Sequence, residues 1–93
     1  MKLDAKFYGE VRKAKNDKIV PEDEWVMFLA QDDAFAATLP VYRQVCVSLG
    51  ADIEQIKAVD RMIKRVTQWR FDNSDRCKTP DAIGERLLDQ DGR

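Results

Sequence analysis

Ninety-three residues, 44% of them apolar and 35% charged, with a net charge of −1, describe one small globular domain rather than a disordered chain. There is no histidine and there are only two cysteines, Cys46 and Cys77, so neither a Ser-His or Cys-His nucleophile pair nor a tetrahedral metal site can be assembled. No apolar run approaches the roughly 20 residues needed to cross a bilayer, and the opening MKLDAKFYGE has no stretch of signal-peptide type, so a cytoplasmic protein with reduced thiols is expected.

The charge is arranged in blocks. Residues 1–20 carry six Lys/Arg against three Asp/Glu, and residues 21–54 carry one against seven. Residues 55–78 reverse the sign with seven against three, and residues 79–93 carry two against four. Blocks of alternating sign pair with each other inside a fold or with the surface of a partner, and the internal pairing is the simpler expectation.

Residues 6–14 mix β-formers with lysines, with Phe7, Gly9 and Val11 on one face of an extended chain, which predicts an edge strand. Asn16-Asp17 marks a turn. Residues 21–30 point two ways. Pro21 followed by three acids suits a helix start, whereas Trp25-Val26-Met27-Phe28-Leu29 is a continuous apolar run that suits a strand covered on both faces. The strand is preferred, paired antiparallel with residues 6–14 across a loop centred on Pro21.

A helix is predicted over residues 33–49, with Phe35, Leu39, Tyr42, Cys46 and Leu49 as its apolar stripe, Asp32 or Asp33 as its cap and Gly50 closing it. Pro40 predicts a kink, or an end near Thr38, because it lacks a backbone donor and its ring crowds the carbonyl of Ala36. The clearest element is a long amphipathic helix from about Asp52 to Phe71. Ile56, Val59, Met62, Ile63, Val66 and Trp69 cluster on one side, and Lys57, Arg61, Lys64 and Arg65 lie on the other. The short Gly50-Ala51 link makes the two helices an antiparallel hairpin. After a loop at 72–78, Thr79-Pro80 starts a short helix docked by Ile83 and Leu87. The expected fold class is α+β: an N-terminal β-hairpin packed on an antiparallel helical hairpin with a short C-terminal helix, the alternative being all-α.

Two sets of residues are candidates for binding. The acidic set Glu22, Asp23, Glu24, Asp32 and Asp33, with Trp25 as an aromatic anchor, suits a basic protein partner. The basic set Lys57, Arg61, Lys64, Arg65 and Arg70 suits phosphates, with Trp69 and Tyr8 available for stacking. Each set also has a plainer explanation, as helix caps with an exposed loop and as the wet side of an amphipathic helix. Asp72-Asn73-Ser74-Asp75 lacks the glycine and terminal glutamate of a calcium loop. No cofactor is expected.

The stretch from Pro21 to Trp69, with FLAQDDAFAATLPVYRQVCVSLGA followed by a helix ending in VTQW and a later TPD, resembles small proteins encoded by phages and prophages. That resemblance implies a β-hairpin with a helical hairpin and an accessory, host-directed role, and it assigns no site residues. The expected function is therefore non-enzymatic binding of another protein, or self-association as a homodimer. Nucleic-acid binding through the basic helix face is the alternative.

Overall fold

A computed structural model describes residues 7–80. The contacts divide the chain into two compact units, one holding the described residues up to Met27 and the other beginning at Phe28. The first contains an antiparallel β-hairpin and the second two packed helices, so the fold is α+β.

In the first unit, strands β1 (Val11–Arg12) and β2 (Ile19–Val20) pair in the register Val11 to Val20 and Arg12 to Ile19. The turn between them rests on local polar chemistry. The Asn16 side chain accepts from the Lys18 amide at 3.0 Å, and Asp17 adopts the left-handed conformation at φ 62°, which short polar residues tolerate best. Arg12 spans the turn, donating to the Asp17 carbonyl at 2.8 Å and to the Glu10 carboxylate at 2.7 Å.

The expected second strand at 25–29 is not formed. Pro21 instead opens a 3-10 turn over Glu22–Glu24, closed by the Glu24 amide on the Pro21 carbonyl at 2.9 Å, and residues 25–29 belong to neither helix nor strand. Closing the loop at Asn16-Asp17 orders fewer residues than closing one across Pro21, so the nearer segment takes the edge of β1. A strand covered on both faces also needs covering. Val26, Met27, Phe28 and Leu29 are all exposed.

In the second unit, α1 (Asp33–Ser48) and α2 (Ile53–Asp72) form the antiparallel hairpin. Asp32 caps α1 through the Phe35 amide at 2.9 Å, and Asp52 caps α2 through the Gln55 amide at 2.9 Å. Between them the chain closes as a Schellman motif. Gly50, at φ 78°, donates to the Val47 carbonyl, and Ala51 donates to the Cys46 carbonyl, both at 3.0 Å. Ala51 then packs on the core formed by Cys46, Ile56 and Val59, joined by Ile63.

The helix does not end at Thr38. Pro40 lies within an uninterrupted α1, with Leu39 beside it buried, so burial of this helix outweighs the lost donor. The buried side of α1 is also turned relative to the expected stripe. Leu39 and Cys46 are buried as expected, but Tyr42 and Leu49 face outward. Arg43 takes the place facing α2, where it pairs with Asp60.

After α2 the chain makes a 3-10 turn over Ser74–Arg76. It then runs beside the start of α1 in a parallel bridge between Asp32 and Lys78. The Lys78 amide donates to the Gln31 carbonyl and the Asp33 amide to the Lys78 carbonyl, each at 3.0 Å. The expected C-terminal helix lies outside the described residues.

Candidate functional site

The first structural fact about the two candidate sets is that they meet each other. Arg70, from the basic set, donates to the Asp33 carboxylate at 2.6 Å and to the Ala30 carbonyl at 3.0 Å. This partly buried pair ties the end of α2 to the start of α1, where the Asp33 charge also sits well against the positive helix terminus. The hydrogen bond to Asp33 is the main reason the Arg70 pKa is raised above its ordinary value, although desolvation works against it. A raised cation pKa contributes stability that is present at neutral pH and is lost only as pH climbs through the folded value. Arg43 is raised in the same sense, chiefly by its hydrogen bond to Asp60. The expected internal pairing of the charge blocks is realised at 33–70, whereas 43–60 joins the lone cation of the acidic block to an acid of the basic one.

That pairing reshapes both sets. In the acidic set, Asp32 is a helix cap and Asp33 an ion-pair partner. Glu22 accepts from the Gly9 amide at 3.4 Å, while Asp23 and Glu24 remain exposed on the 3-10 turn. Trp25 follows that turn. Its indole N–H is shielded from solvent and has no acceptor among the described residues. Residues 22–25 and residues 32–33 belong to different compact units.

In the basic set, Arg70 is committed to Asp33, and Lys57 lies 3.5 Å from Glu54 in an exposed pair. Arg61, Lys64 and Arg65 are exposed. Three cations are a small footprint for phosphate binding.

The exposed apolar surface is more informative than either charged set. Among the described residues five apolar side chains are buried and fourteen large ones are exposed, and single exposed apolar residues are ordinary, so their arrangement decides. On α1 they form a stripe. Val41, Tyr42, Val45 and Leu49 fall within roughly 100° of arc at 3.6 residues per turn, centred roughly 110° from the side that holds Leu39, Arg43 and Cys46. Val41 is 62% and Leu49 82% exposed, which makes this the solvent side of the helix. The only charged residues of α1 are Asp33 and Arg43, and both are paired within the hairpin.

A second apolar feature lies between the start of α1 and the last turns of α2. Phe28, Ala30, Phe35, Met62, Arg65, Val66 and Trp69 line an open groove of about 230 Å³. The Phe28 and Phe35 rings stack at 5.2 Å, nearly parallel at 6°, and the Arg76 guanidinium lies over Trp69 at 5.2 Å. Neither feature was among the residues expected to bind, apart from Arg65 and Trp69. Among the described residues no three His, Cys, Asp or Glu side chains are grouped to hold a metal ion, and no helix is long and apolar enough to cross a membrane.

No protein-family model matches the sequence, and neither a curated protein nor a solved structure gives a match.

Proposed function

We propose that this chain is a small protein-binding domain that self-associates through the outer face of α1. One observation carries the reading: α1 presents a charge-free apolar stripe of Val41, Tyr42, Val45 and Leu49 to solvent while a different side of the same helix packs on α2. A helix apolar on more than one side belongs in an interior, and a partner supplies that interior.

The neutrality of the stripe favours a second copy. A two-fold interface sets a patch against itself, so a charged patch repels its image and a neutral apolar one does not. The outer face of α2, with Lys57, Arg61, Lys64 and Arg65, fails that condition. The accessory, host-directed role implied by the resemblance of residues 21–69 is the setting in which a small binding domain of this kind would act. Nucleic-acid binding ranks below this reading because Arg70 and Lys57 already have carboxylate partners.

The test is the mass of the purified protein by light scattering and sedimentation across a concentration series. A dimer is expected at high micromolar concentration, and Val45→Glu is expected to return it to a monomer of unchanged helix content. A wild-type protein that stays monomeric at about 200 μM, a weak-association limit of roughly 5 kcal/mol, overturns the reading.

A further inference from the structure

The groove beside Trp69 shares no residue with the α1 stripe, and it differs in kind. Its floor is apolar and aromatic, built from Phe28, Phe35, Met62 and Val66 with Trp69 at one end. One edge is basic. Arg65 lines the groove itself, and Arg61 lies one turn earlier on the same side of α2. Arg76 lies over the Trp69 ring. Arg61, Arg65 and Arg76 make no ion pair with any described residue, in contrast to Arg43 and Arg70, whose charges are met within the hairpin. Unmatched guanidinium groups beside an apolar trough call for carboxylates next to apolar side chains.

Dimensions narrow the form of the ligand. From Met62 to Trp69 the groove runs seven residues along α2, about 10 Å at 1.5 Å per residue. That is two helical turns, enough for apolar anchors at positions i, i+4 and i+7 of a ligand helix. The groove is walled by side chains, so recognition works through anchors in a trough, the helix-in-groove mode, rather than by adding a strand.

We propose that this groove docks an acidic amphipathic helix of a partner protein, with Phe28, Phe35, Met62 and Trp69 receiving its apolar anchors and Arg61 and Arg65 meeting its carboxylates. Single-stranded nucleic acid is disfavoured on the same surface. Phe28 and Phe35 are already stacked on each other and do not present two free faces to successive bases.

The probe is a fluorescein-labelled peptide of about 15 residues, with leucine at i, i+4 and i+7 and glutamate on the flanks, titrated with the full chain and read by anisotropy. Binding in the micromolar range is expected. Replacing every glutamate by lysine is expected to weaken it at least about tenfold, as is the double variant Arg61→Glu, Arg65→Glu, since both reverse one side of the charge match. Phe28→Ser, at an exposed ring, is expected to weaken it similarly with helix content kept. An all-glutamate peptide without leucines is expected not to bind.

Equal binding of the lysine peptide, or tight binding of the leucine-free peptide, overturns the proposal. So does tighter binding of an oligothymidine with steep salt dependence, which would make the groove a nucleic-acid surface. The peptide comparisons need no variant to fold, and a monomeric wild type would leave this inference standing while removing the one before it.

Discussion

The two helices of the hairpin are of similar weight in the fold and opposite in surface. Helix α2 buries Ile56, Val59 and Val66 and turns Lys57, Arg61, Lys64 and Arg65 to water, with its exposed large apolar residues, Ile53, Met62 and Phe71, scattered along it. Helix α1 buries Leu39 and Cys46 and then offers water Val41, Tyr42, Val45 and Leu49. Hydrophobic burial is the main favourable term in folding, so exposure along one whole helix side is surface that folding alone does not use. The lesson is that α2 carries most of the buried core positions, whereas α1 leaves an apolar stripe in water.

That division makes graded predictions. Ile56→Ala, which empties a core position, is expected to destabilise by about 3 kcal/mol in urea unfolding, whereas Leu49→Ala on the α1 stripe is expected to cost the monomer under about 0.5 kcal/mol. Equal costs would mean that Leu49 is buried in the protein as it folds, and the contrast between the helices would fail. Next in size come the devices that join them. Gly50→Ala meets no neighbouring atom, so only the backbone strain at φ 78° opposes it, and about 1 kcal/mol is expected.

Asp52→Ala removes the cap of α2 and is expected to cost about 1 kcal/mol as well. A double-mutant cycle on Asp33 and Arg70 is expected to show favourable coupling, smaller than the Ile56 effect, because the pair stays partly wet. That coupling is expected to persist at alkaline pH. The raised Arg70 pKa keeps the cation charged until the pH exceeds its folded value.

Much of the helical hairpin was legible in the sequence because its signals are local. Asp52 and Gly50 announce a start and a stop within a few residues, and the α2 stripe repeats over nearly four turns. The side of α1 that packs was legible only in part, since a four-three spacing through Leu39 and Cys46 admits either Tyr42 or Arg43 between them. Apolarity favours Tyr42, and the ion pair with Asp60 on the other helix decides for Arg43.

The hairpin was foreseen with the wrong second strand, because the apolar run at 25–29 looks like a strand when its surroundings are unknown. The groove escaped notice for the opposite reason. Phe28 and Phe35 lie some 30 residues from Met62 and Trp69, and no periodicity links them. The sign change between the 21–54 and 55–78 blocks pointed to internal pairing without naming its members, and Arg70, read as a phosphate contact, is one of them.

The two tryptophans fall one to each compact unit, Trp25 in the first and Trp69 in the second. Each unit therefore carries its own optical probe. Trp25→Phe leaves an emission that reports the helical hairpin alone, modulated by the arginine above its ring, and Trp69→Phe leaves one that reports the shielded indole after the 3-10 turn. Melting the two variants side by side asks whether the halves of this small chain lose their structure in one step or in two.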